Sequence, residues 1–134
     1  MVRTMIAIAA GYFSIAALNS FIHVITSIYF RADITLTGIS HLPSNSWIIG
    51  ITFLQFAFGL FGGLLATTVA KNASKVILGF ILTMVAVSLI NYSVMAESEP
   101  LWYLITAPSL TIGGIYMGYR LQTQESNTTG NEEK

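Results

Sequence analysis

The chain contains no cysteine, which removes disulfides, thiolate zinc sites, iron–sulfur clusters and cysteine nucleophiles together. Charge is nearly as scarce. Only 9% of the 134 residues are Asp, Glu, Lys or Arg, against about 25% in soluble domains, so a water-facing surface would lack its usual covering. Six basic and six acidic residues cancel to a formal net charge of +0. That balance leaves no cationic footprint for nucleic acid, whose binding depends on a Lys/Arg surplus that displaces counterions.

What the sequence has in quantity is apolar: 54% of residues are hydrophobic. Four runs, 5–30, 47–70, 76–96 and 101–119, contain no Asp, Glu, Lys or Arg. A helix rising 1.5 Å per residue needs about 20 apolar residues to cross ~30 Å of hydrocarbon, and each run is of that order. The first run exceeds the roughly 7–15 apolar residues of a cleavable signal. A soluble four-helix core is disfavoured because these helices have no polar face to show to water. The fold class expected is therefore all-α: four transmembrane helices in an up-down bundle, with an outer loop over 31–46. The tail 122–134 holds no apolar residue and is expected to be disordered. No repeat of about 20–50 residues, the mark of a solenoid, is visible.

Basic residues set the orientation, since they are retained on the cytoplasmic side. Arg3, Lys71, Lys75, Arg120 and Lys134 fall on one side; Arg31, Asp33, Glu97 and Glu99 fall on the other. Both termini are thus expected in the cytoplasm. Trp47, Trp102, Tyr103 and Tyr29 then lie at the outer interface, where amphipathic rings prefer to sit.

Helical phasing gives the first run two faces. Tyr12, Ala16, Asn19, His23 and Thr26 cluster on one side, while Leu18, Phe21, Ile25 and Ile28 occupy the other as a lipid face. Thr52, Gln55, Gly59, Gly62 and Ala66 form a similar stripe on the second, and Ala107, Thr111, Gly114 and Gly118 on the fourth. Gly59 with Gly63, and Gly114 with Gly118, fit the GxxxG pattern that lets helix backbones approach closely in lipid. Two uses are open to these glycines: packing inside the chain, or pairing with a second copy. Pro108 interrupts the hydrogen-bond ladder of the fourth run and is expected to kink it.

The polar residues within the spans are Asn19, His23, Gln55 and Asn91. Counting ~1.5 Å per residue from the outer interface puts Asn91 about 7 Å deep, His23 about 10 Å, Gln55 about 12 Å and Asn19 about 16 Å. Ser27, Ser88, Thr106 and Ser109 share that layer. One reading is an outward-opening polar cavity with His23 as its only titratable group, able to change charge near neutral pH. The other is that the four side chains bond one another and tie the bundle.

No metal or cofactor is implied. His23 and His41 lie apart without an HxxxH or HExxH spacing, and a bis-histidine haem would need a dimer supplying His23 twice. No Gly-rich phosphate loop occurs, and a Ser/His/Asp triad would need Asp33, the sole Asp, to reach His23 from a loop. The size is similar to that of the small multidrug resistance transporters, but their first-span glutamate has no counterpart here, which disfavours that proton-coupled mechanism.

Met1-Val2-Arg3-Thr4 leading to Gly11-Tyr12, the stretch from Gly59 to Ala66, Pro100-Leu101-Trp102, and Gly114-Ile115-Tyr116-Met117-Gly118 followed by Arg120 form a pattern spanning nearly the whole chain. It resembles a group of small, uncharacterised bacterial four-span membrane proteins. Those proteins often carry a glutamate four residues before the first-span histidine; here Asn19 precedes His23. The resemblance implies topology and a bacterial plasma (inner) membrane, multi-pass, and no activity. The function expected is a non-enzymatic accessory or interaction protein whose partners are the lipid bilayer and a homodimer mate or another membrane protein. The alternative is a small-solute carrier or channel in which Asn19, His23, Gln55 and Asn91 line an outward pocket.

Overall fold

The computed structural model describes residues 2–31, 34–35, 38–39, 44–70, 73–95 and 100–132. Four helices account for almost all of them: α1 (Val2–Phe30), α2 (Asn45–Val69), α3 (Ala73–Met95) and α4 (Leu101–Glu132). Asp33, His41, Lys71, Glu97 and Glu99 lie outside the described residues. Within the expected outer loop, β1 (Ile34–Thr35) and β2 (Gly38–Ile39) pair antiparallel, Ile34 opposite Ile39 and Thr35 opposite Gly38. The loop is thus partly ordered by its own backbone.

The helix ends have local causes. α1 stops at Arg31, whose φ of 53° lies in the left-handed region that a helix cannot continue through. Ser44 holds an extended conformation and its hydroxyl accepts a hydrogen bond from the Trp47 N–H at 3.3 Å, capping α2. Pro100 precedes α4, and its carbonyl accepts from the Tyr103 and Leu104 N–H groups at 2.9 and 3.2 Å. α4 then runs through Pro108, which has helical neighbours on both sides.

Contacts between helices fix their directions. Arg3 Nε donates to the Val69 carbonyl at 3.0 Å, while Gln55 Nε2 donates to Asn19 Oδ1, so α1 and α2 are antiparallel. Gly59 abuts Thr111 and Gly63 abuts Ile115 in ascending order, so α2 and α4 run parallel. Gly11 meets Phe80, and Ser74 Oγ lies 3.2 Å from the Tyr119 hydroxyl, so α3 runs with α1 and against α4. The up-down bundle has one end carrying Arg3, Lys75 and Arg120, and another carrying Phe30, Trp47 and Tyr103.

The α2–α4 seam is the closest one. A Cβ on Gly59 or Gly63 would fall on the Thr111 or Ile115 carbonyl, and one on Gly114 or Gly118 on the Phe56 or Leu60 carbonyl. Gly62 instead accepts the Ile15 side chain of α1. All five glycines are therefore used inside the chain. Near the Arg3 end, Ala7, Ile15, Ala66, Val76, Phe80 and Ile115 make the main core, and Phe80 is 0% exposed. A smaller cluster of Ile48, Ile51, Tyr103 and Ala107 joins α2 to α4 at the opposite end.

The outward faces are apolar: Phe13, Phe21, Phe53, Phe61, Leu82 and Leu89 are each more than half exposed. α1, α2 and residues Ser74–Val94 of α3 are long and apolar enough to cross a membrane. α4 falls short of that apolarity, so the described helices support three of the four expected spans. Thr106, Pro108, Ser109, Thr111, Gly113 and Gly114 dilute its apolar content. Two further expectations change. Leu18 packs against the main core rather than facing outward with Phe21, Ile25 and Ile28. And α4 continues to Glu132 where disorder was expected from Gln122. Once a helix is nucleated, each added residue gains a backbone bond without the nucleation cost, and no proline follows Pro108 to stop it.

Candidate functional site

Asn19 and His23 are one helical turn apart on α1, Gln55 lies on the opposing face of antiparallel α2, and Asn91 lies on α3. The bundle brings all four to a single cavity of about 520 Å³ in its Trp47 half. Its lining adds Tyr12, Ser20, Ser88, Met84, Tyr103 and Thr111, with aliphatic side chains filling the remainder. Tyr12 and Tyr103 add two phenols to the same lining, so His23 is not the only titratable side chain there. None of the described lining residues is acidic, lysine or arginine.

The four polar residues separate into two pairs by bonding. Gln55 is buried, with 7% of its surface exposed, and its Nε2 donates to Asn19 Oδ1 at 2.6 Å. Its Oε1 lies 3.4 Å from the Thr111 hydroxyl, which already donates to the Ala107 carbonyl at 2.9 Å. A hydroxyl has one proton to give, so the shorter bond takes it and Gln55 Oε1 keeps accepting capacity. The Asn19–Gln55 hydrogen bond thus links α1 to α2, with Thr111 of α4 against the same amide. His23 and Asn91 differ: among the described residues neither has a hydrogen-bond partner.

Other polar groups of the layer are accounted for locally. Thr26, fully buried, donates to the Ile22 carbonyl at 2.8 Å, and Ser88 to that of Met84 at 2.7 Å. Thr106 and Ser109 bond back to Trp102 and Ile105 in the same way and lie outside the lining. Such i−4 bonds let a hydroxyl sit in an apolar setting without a partner from another helix. Tyr103, read from sequence as an interfacial ring, is 9% exposed and belongs to the cavity wall. The signal was present, since Tyr103, Ala107 and Thr111 recur every fourth residue and extend the α4 stripe by one turn. Trp102 and Tyr29 do face outward, while Trp47 meets Phe30 edge-on with ring centroids 5.1 Å apart.

Toward the Arg3 end the cavity meets the main core. Ile15, Met84 and Phe80 pack beneath it as part of the main core, and Phe80 wedges against Gly11. Among the described residues, no three His, Asp or Glu side chains gather as a metal site. The chain matches no protein-family model, no curated protein and no solved structure. The fold and site define an all-helical protein with three helices apolar enough to span a membrane and a partly polar cavity lined by all four.

Proposed function

We propose that this chain is a multi-pass protein of a bacterial plasma membrane that holds a small uncharged molecule in its outward cavity and performs no chemistry on it. The observation that carries this reading is the pair His23 and Asn91: unpartnered among the described residues, they line the same cavity as the tied pair Asn19 and Gln55. Structural ties alone do not call for them. A charged guest finds no counter-ion among the described lining residues, and an unpaired charge in a low-dielectric site is costly.

In this reading α4 crosses with the other three helices, its small and hydroxyl residues turned to α2 rather than to lipid. Arg3, Lys75 and Arg120 lie at one end of the bundle, which by the positive-inside tendency is cytoplasmic. Both termini are then inside, and the cavity lies in the outer half. The accessory role, resting on small-residue faces free to meet a partner, is weakened because those glycines are spent within the chain.

Native mass spectrometry of the protein released gently from its own membranes tests this. A defined retained mass distinct from bulk phospholipid, diminished in Asn91→Leu, is expected. A bare chain, or one carrying the same bulk lipid in both forms, overturns it. Reporter fusions at Lys71 and Glu99 should fall on opposite sides of the membrane; both on one side refutes the four-span topology.

A further inference from the structure

The cavity wall is uneven, and its weak side is α3. Near the Arg3 end α3 is well seated: Val76, Ile77, Phe80 and Met84 are buried, Ile8 lies against Gly79, and Gly11 against Phe80. Beyond Met84 no described residue of α3 is buried. Its outer half carries Leu89, Ile90 and Val94 at more than half exposure, with Asn91 exposed among them. Three lining residues retain wide exposure, Ser20 on α1 and Asn91 and Val94 on α3. The seam between α1 and α3 is therefore shut at the Arg3 end and parts toward the other, so the cavity opens sideways. Val24 on α1 and Ile90 on α3, both exposed, add an apolar rim.

A sideways mouth with an apolar rim, in a helix bundle whose outward faces are apolar, leads to hydrocarbon rather than water. Among the described residues, it holds an imidazole and a carboxamide without partners, the spare acceptor of Gln55, and no acidic, lysine or arginine side chain. A guest suited to both parts has an uncharged head with oxygen donors or acceptors and an apolar tail. Resting on the cavity reading above, we propose that the site takes the neutral oxygen-bearing head of a membrane-dissolved amphiphile, with its tail lying in the α1–α3 seam. A diacylglycerol and a quinone share that chemistry. The volume of about 520 Å³ accommodates a head and its first carbons, within the roughly 300–1,000 Å³ of small-molecule sites.

The full chain in phosphatidylcholine nanodiscs, read by native mass spectrometry and by thermal midpoint, tests the proposal with four probes. Dioctanoylglycerol and a short-chain quinone are the two candidate sources; dioctanoyl phosphatidic acid carries a charged head on the same tails; glycerol is a head without a tail. One-to-one saturable binding of at least one neutral amphiphile is expected, with phosphatidic acid at least tenfold weaker. Ser20→Phe, which fills the mouth from an exposed position, and Asn91→Leu, which removes a head contact, should each weaken binding at least tenfold and leave the midpoint of the unliganded chain unchanged. Equal binding of phosphatidic acid, or full binding by Ser20→Phe, overturns it. Glycerol binding with neither amphiphile bound sinks this inference and leaves the solute cavity standing. No binding by any probe, together with a raised midpoint when Ala107→Phe fills the cavity, overturns both.

Discussion

Neighbouring glycines on α4 make opposite predictions for the same substitution. At Gly113 an added Cβ meets only Phe56 Cε2, at 4.0 Å, which is ordinary contact. At Gly114 it meets the α2 backbone: the Phe56 carbonyl, closer still, and the Leu60 nitrogen at 2.8 Å. Neither atom can rotate away, so α2 and α4 must separate by several tenths of an ångström along their tightest seam. Overpacking of this kind costs about 1–3 kcal/mol, while replacing a mid-helix glycine with alanine returns about 0.5–1 kcal/mol of propensity. Gly114→Ala should therefore lose about 1–2 kcal/mol, and Gly113→Ala should be neutral or gain up to about 1 kcal/mol. Gly50→Ala on α2, with nothing within 4 Å, is a second control with the same sign as Gly113→Ala. Reversible unfolding in mixed micelles by dodecyl sulfate titration, followed by far-ultraviolet circular dichroism, measures all three. Equal stability of Gly113→Ala and Gly114→Ala, or a loss at Gly50→Ala as large as at Gly114→Ala, would refute the backbone-contact argument.

Phe80→Ala should lose about 3–5 kcal/mol in the same titration, the cost of deleting a fully buried ring, and should deepen the cavity toward the Arg3 end. Asn19→Leu removes the acceptor of the Gln55 amide and should cost about 0.6–2 kcal/mol; Gln55→Leu should cost a similar amount, and the double variant less than the sum of the two. His23→Leu, removing a group with no partner among the described residues, should shift the unfolding midpoint little while reducing the retained mass in native spectra. A stability loss at His23→Leu as large as at Asn19→Leu would make the histidine a structural tie.

Much of this arrangement is written in helical phasing. The spacing of Asn19 and His23 on one side of α1, with Phe21, Ile25 and Ile28 on the other, matches the side of that helix that meets the cavity, because a 100° step decides which residues share a face. The stripe Thr52, Gln55, Gly59, Gly62, Ala66 is buried throughout. Phasing cannot say which helix each face meets. That α2 receives α4 on Gly59 and Gly63 but α1 on Gly62 follows from the three-dimensional placement of the helices, and so does the role of Phe80. Leu18 shows the same limit: at the border between two faces, a leucine suits lipid and core equally, since lipid tails are as apolar as a protein interior. The extension of α4 to Glu132 escaped a compositional reading because composition scores residues singly, whereas helix propagation is cooperative along the chain.

The glycine seam also bears on the order in which the molecule can assemble. α2 emerges early in synthesis, yet the backbone that fits its Gly59–Gly63 face belongs to α4, the last helix, and α3 must be laid down in between. Until then α2 leaves open a small-residue groove that any similar helix can fill, including α2 of another nascent copy. A chain stalled or cut before residue 101 would keep that groove open permanently. Such fragments are expected to self-associate more strongly than a chain that includes α4, making α4 the element that protects α2 from mispairing.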